Sequence, residues 1–148
     1  MSRPSTTEYF MKMAYLVATR ATCDRAHVGC VLVNSQKRVV ATGYNGSPTG
    51  APHCDEAGHD LVDGHCVRTL HAESNAIDYA GRDARGCTLY CTHLPCIDCA
   101  KRIVNCGIRA VIFAEAYQSR YDRSDKVSAF LEGCNVAVEE YTPEEEYT

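Results

Sequence analysis

Two short segments, His71-Ala72-Glu73 and Pro95-Cys96-Ile97-Asp98-Cys99, set the strongest condition on how this chain can fold. One His and two Cys can hold a zinc ion and leave its fourth position open. A fold that uses them must bring residue 71 against residues 96 and 99. Cys96 and Cys99 are three apart, hence on one face of a helical turn. Pro95 places them in the first turn of a helix, where partial positive charge and free N–H groups favour thiolates. His71 opens a second helix, so two helix starts aimed at one point would form a zinc cradle. Glu73 is not needed as a ligand and is available to move the protons of a water at the open position. Each half has a plainer reading on its own. A lone C-x-x-C is often a structural zinc half-site or a redox pair, a lone H-x-E is common by chance, and Glu73 alone would be a solvated helix carboxylate. Joined in this order on two helix starts, they point to hydrolytic chemistry at a metal.

The bulk numbers narrow the setting. A chain of 148 residues is the size of one domain, and 45% hydrophobic with 23% charged residues is ordinary for a globular protein. We therefore expect a single domain over 1–148. No apolar run approaches the ~20 residues of a membrane span, and the first ten residues, MSRPSTTEYF, contain no apolar signal segment. The expected location is the cytoplasm, with no membrane partner. Ten cysteines then favour metal binding or reduced core thiols over a disulfide framework. The formal net charge is −4, part of it in an acidic tail over 142–148. Such a chain is a poor general binder of nucleic acid, although a small anionic substrate needs only a few local donors.

Periodicity predicts a helix over Ser5–Thr22, capped by Ser5 with Glu8 three residues on. Strands follow at His27–Asn34 and Arg38–Tyr44 around the turn Ser35-Gln36-Lys37. Residues 45–70 have almost no periodicity, and a stretch that long is functional or held by something other than packing. A helix over His71–Ala80 stops at Gly81, a strand covers Cys87–Cys91, and a helix over Pro95–Cys106 stops at Gly107. Then come a strand at Arg109–Ala114, a helix at Arg123–Leu131 closed by Gly133, and a strand at Asn135–Val138. This order predicts an α/β fold, a mixed sheet with helices on both faces.

Further segments carry a resemblance. Val28-Gly29-Cys30 precedes the strand pair, Gly43-Tyr44-Asn45-Gly46 ends it, and His71-Ala72-Glu73-Ser74-Asn75-Ala76-Ile77 and Pro95-Cys96-Ile97-Asp98-Cys99-Ala100 follow, with Gly107-Ile108 before a strand. Over nearly its whole length the chain resembles the zinc-dependent cytidine/deoxycytidylate deaminases, in particular deoxycytidylate (dCMP) deaminases of the short bacterial and bacteriophage type. Nucleoside cytidine deaminases usually have Cys where His71 stands, and tRNA adenosine deaminases lack the Cys/His-rich insertion. The resemblance implies a cytidine-deaminase-like three-layer α/β/α fold with a mixed five-stranded sheet. It implies hydrolysis of dCMP to dUMP and ammonia, with a catalytic zinc on His71, Cys96 and Cys99 and Glu73 as the proton shuttle. It further implies a homohexamer activated by dCTP and inhibited by dTTP, acting with Mg²⁺. Asn45 is expected to bond the nucleotide near its sugar and base, and Gly43, Tyr44, Asn45 and Gly46 to shape a regulatory nucleotide site. As an isolated tetrapeptide they would read as a plain strand-ending turn. Arg25, Arg68 and Arg120 are candidate 5′-phosphate donors, and Tyr117 and Tyr121 lie where the family closes over its substrate. The rivals are deamination of tRNA adenosine, dCTP or a free base, and a zinc-stabilised module without catalysis. Glu73 argues against the last.

Cys23, Cys54, His59 and Cys66 offer four ligands across the aperiodic stretch. Four protein ligands would close the shell of a second, structural zinc and staple that segment. His65 and His53 compete with His59 for the fourth place, though each is adjacent to another ligand. Cys30, Cys87, Cys91, Cys106 and Cys134 read as small buried hydrophobes, and His27 and His93 as structural or near-surface.

Overall fold

The structure is a computed structural model that describes residues 2–23, 26–62, 65–66, 68–116 and 124–143, with only the backbone of His65 and Cys66. Helix α1 is Thr6–Ala18, and the Ser5 Oγ accepts the Glu8 N–H at 3.1 Å, as the capping pattern requires. It stops ahead of the expected Thr22, whose N–H is committed to the Asn45 carbonyl at 3.2 Å. Strands β1 (Gly29–Val33) and β2 (Val39–Tyr44) form an antiparallel hairpin. Asn34 folds its turn by accepting the Gln36 and Arg38 N–H groups on Oδ1, each at 3.0 Å.

The aperiodic stretch holds more than periodicity showed: a one-turn helix α2 (Cys54–Ala57) and a hairpin of β3 (Leu61–Val62) with β4 (His65–Cys66). Elements this short leave no period to detect. Then come α3 (Ala72–Ala80) running into a 3₁₀ turn at Gly81–Ala84, β5 (Thr88–His93), α4 (Ile97–Cys106), β6 (Ala110–Glu115), α5 (Ser124–Gly133) and β7 (Ala137–Glu140). The sheet order is β2-β1-β5-β6-β7; β1 is antiparallel to both neighbours, and β5, β6 and β7 are parallel. The three-layer α/β/α arrangement and the mixed five-stranded sheet are as expected.

Strand alternation assigns the layers. Cys30, Leu32, Leu89, Cys91, Val111 and Phe113 pack against α3, α4 and α5, while Val31, Val33, Tyr90 and Ile112 pack against Phe10, Met11 and Ala14 of α1. Met11 is fully buried, a side chain worth about 1.5–3 kcal/mol of transfer free energy. After β7, the Tyr141 hydroxyl donates to the buried Glu8 carboxylate and ties the end of the sheet to α1.

Two glycines let helices approach the sheet. A Cβ on Gly29 would lie 2.3 Å from the Ala14 carbonyl oxygen of α1, and one on Gly43 would lie 2.2 Å from the Ala72 oxygen and 2.6 Å from the Ala76 nitrogen of α3. Gly29 pairs with Tyr44 and Cys30 with Cys91. The carboxyl ends of β2 and β5 therefore share one end of the sheet, and from it the chain leads into α3 and α4. A bridge between Gly46 and Leu70, with N–H to carbonyl distances of 3.2 and 2.9 Å, closes the 45–70 excursion where it began.

Candidate active site

His71 occupies the N-cap position of α3 and Cys96 that of α4. Pro95 thus precedes the cap instead of standing in the first turn, because Cys96 itself takes the extended conformation of the cap and its Sγ accepts the Cys99 N–H at 3.4 Å. His71 Nδ1 lies 3.4 Å from the Sγ of both Cys96 and Cys99. The three ligand atoms fall within 4.8 Å of one another. By itself the thiol pair shares a proton. The hydrogen bond from Cys99, assisted by His71, pulls Cys96 down to about 4, while the bond to Cys96 and burial push Cys99 up. A divalent cation bound by both sulfurs would displace that proton. Ser74 Oγ stands 3.7 Å from Cys99 Sγ.

Glu73, in the first turn of α3, is 4% exposed. It is outside the cluster of ligand atoms, but its charge is close enough to raise the Cys99 thiol. Oε1 accepts from the Cys91 thiol at 3.2 Å. This contact was not legible as function, since Cys91 read as a buried hydrophobe. Strand alternation was the available signal: Leu89 and Cys91 share the face covered by α3. The rim is pinned by Thr92, whose Oγ1 accepts the Gly29 N–H at 3.2 Å and bonds His93 Nδ1 at 2.9 Å. His93 Nε2 meets Glu115 at 3.0 Å.

The 43–46 segment makes structural contacts on both sides. Gly43 lies beneath α3, the Tyr44 carbonyl accepts Asn75 Nδ2 at 2.8 Å, and Gly46 bridges to Leu70. The sequence reading missed Asn75 in this role. Asn45 is buried. Its Nδ2 donates to the Ala26 carbonyl at 2.7 Å and reaches that of Cys23 at 3.5 Å, and its Oδ1 accepts the Val28 N–H at 2.8 Å. Among the described residues, one lone pair of Oδ1 has no partner.

A second cluster gathers Cys23, Cys54 and His59, again within 4.8 Å, with Cys23 Sγ 3.4 Å from His59 Nδ1. The Asp55 N–H donates to the Thr22 carbonyl at 3.1 Å and sets α2 beside Cys23. Gly58, at φ 82° and ψ 177°, turns the chain so that His59 comes back onto Cys23; this conformation is nearly exclusive to glycine. His53 bonds Thr22 Oγ1 at 2.9 Å instead. Arg68 Nε donates to the Gly58 carbonyl at 2.9 Å, at the edge of this cluster. Arg25, Arg120, Tyr117, Tyr121 and the side chains of Cys66 and His65 lie outside the described residues.

Comparison with known proteins agrees with this geometry. Residues 4–115 match the family model described as the cytidine and deoxycytidylate deaminase zinc-binding region. The ComE operon protein 2 of Bacillus subtilis is 45% identical over 122 residues, 80% of this chain and 64% of that protein. A deoxycytidylate deaminase of Schizosaccharomyces pombe is 39% identical over 153 residues, 97% of this chain and 46% of that protein. The chain thus spans about half to two thirds of the length of these relatives. Among solved structures, the dCMP deaminase of cyanophage S-TIM5 in complex with dCMP and dUMP superposes with a TM-score of 0.78 at 31% identity, covering 95% of this chain and all of that one. With the motif, the converging helix starts and these likenesses in agreement, the chain belongs to the cytidine and deoxycytidylate deaminase family.

Proposed function

We propose that this protein is a hydrolytic deaminase that converts dCMP and water to dUMP and ammonia. The observation that carries the reading is the convergence of His71, Cys96 and Cys99, with Glu73 buried beside them and not among the ligand atoms. Two sulfurs and an imidazole suit zinc, and three ligands leave one position open. Zinc held there would make water a competent nucleophile near neutral pH. Glu73 takes one proton from the attacking water and delivers it to the ring nitrogen, then takes the remaining hydroxyl proton of the adduct and passes it to the departing amine, which leaves as ammonia. Placement in a nearly dry first turn fixes its carboxylate for both transfers.

The substrate is drawn from the relatives: the fission yeast protein is named a deoxycytidylate deaminase, and the cyanophage enzyme was solved with dCMP and dUMP. Asn45 would meet the sugar or base through its remaining lone pair, and Arg25, Arg68 and Tyr121 would hold the phosphate end. Regulation by dCTP and dTTP with Mg²⁺, a regulatory role for residues 43–46 and hexameric assembly belong to the same proposal. The test is ammonia release from dCMP by zinc-loaded protein, with deoxycytidine, CMP and RNA adenosine as controls, with and without dCTP and Mg²⁺. Release confined to dCMP is expected; release from RNA adenosine alone, or from none, would reject the reading.

We also propose a structural zinc on Cys23, Cys54, His59 and Cys66, supported by the gathering of the first three. Cys54→Ser is expected to lower zinc content by one ion per chain and to speed proteolysis within 45–70. An unchanged zinc count, measured by atomic emission, would rule out the second ion. Among the described residues, no helix is long and apolar enough to cross a membrane.

A further inference from the structure

We propose that Cys91 is a positioning residue for deamination: its thiol holds Glu73 by Oε1 and leaves Oε2 as the oxygen that moves the proton. The proposal rests on the assignment of Glu73 as proton shuttle. The Cys91 Sγ to Glu73 Oε1 distance is 3.2 Å. Both groups are buried, Cys91 completely and Glu73 to 4% exposure, so little water competes for that oxygen. Cys91 lies in β5, the sheet's central strand, with its backbone fixed by pairing to Cys30 on one side and Phe113 on the other.

A thiol can hold a carboxylate this way only while it keeps its proton. Burial, the bond with Cys30 and the Glu73 charge push the Cys91 thiol well above its ordinary value. It therefore keeps its proton at neutral pH, and the Glu73 carboxylate at 3.2 Å is a charged acceptor for it. A carboxylate at the start of a helix can rotate about its last torsion, which is broad and two-fold. A donor on one oxygen removes that freedom and presents the other in a constant direction. Proton transfer depends steeply on such alignment. No acid–base step is assigned to the sulfur itself.

The experiment compares Cys91→Ala, Cys91→Val and Cys91→Ser in the zinc-loaded enzyme, reading kcat and KM for dCMP, zinc content and thermal midpoint. Valine keeps the strand position filled if alanine fails to fold. Ala and Val are expected to lower kcat about tenfold, the scale of one hydrogen bond to a charged group with a weak donor. KM should stay within about twofold and zinc content should be unchanged. Serine restores a donor and should return most of the lost kcat. A kcat within about twofold of the parent in both Ala and Val would overturn the proposal. So would a folded, zinc-replete Ser variant as slow as Ala. Glu73→Gln is run alongside. If it is inactive while the Ala and Val variants are fully active, only the role of Cys91 falls. If Glu73→Gln itself turns over, the Glu73 assignment falls and this proposal falls with it.

Discussion

Glu73→Gln is expected to leave the fold and the metal content intact while turnover falls by roughly 10³–10⁴-fold, the upper range for general acid–base groups. The amide is nearly isosteric with the carboxylate, and its oxygen can still accept from Cys91 across the 3.2 Å contact. It also lowers the charge buried beside Cys99, whose thiol Glu73 raises, so metal binding has no reason to weaken. What the amide cannot do is take a proton from water and return it to a leaving amine. The check is kcat with zinc content and circular dichroism measured on the same sample. Full turnover would remove Glu73 from the mechanism.

Gly43→Ala should have the largest effect on stability. The added Cβ would meet backbone, the Ala72 oxygen at 2.2 Å and the Ala76 nitrogen at 2.6 Å, and backbone cannot rotate aside as a side chain can. Overpacking of this kind costs about 1–3 kcal/mol or more, a drop of roughly 4–10 °C in Tm for a chain of this size. Helix α3 carries His71 at its cap and Glu73 in its first turn. Any shift that relieves the clash moves both relative to Cys96 and Cys99, so zinc affinity should fall with stability. Gly29→Ala supplies the contrast. Its Cβ would strike α1 at 2.3 Å on the opposite face, and it should cost similar stability with a smaller loss of zinc affinity. Calorimetry and competitive zinc titration of the two variants decide this. Equal affinity losses would mean that the α3 contact does not set the metal geometry.

These contacts mark the boundary of what could be read from the sequence. The gathering of His71, Cys96 and Cys99 was legible because its signals are local: Cys96 and Cys99 share a helical turn, and His71 and Glu73 sit at the start of the helix before it. The layer order was legible from periodicity in α1, α3, α4 and the long strands. The packing role of Gly43 was not legible because its Cβ-free face matters only once α3 has folded over it. Asn45 spends its amide on residues 23, 26 and 28, partners set by how two loops meet. Cys91 reaches Glu73 from another element, and a buried thiol in a strand looks the same in sequence whether or not a carboxylate faces it. The α2 turn and the β3–β4 hairpin are too short to leave a period.

The paired hydrogen bonds between Gly46 and Leu70 give the excursion between them a closed neck. Whatever lies beyond that neck, the chain re-enters at the same place, one residue before His71. Lengthening or shortening the excursion changes its closure entropy only logarithmically and leaves the approach to the cradle where it was. This part of the molecule is therefore the place where a chain of this kind can gain or lose a metal staple, or exchange one set of surface contacts for another, while the reacting groups keep their positions.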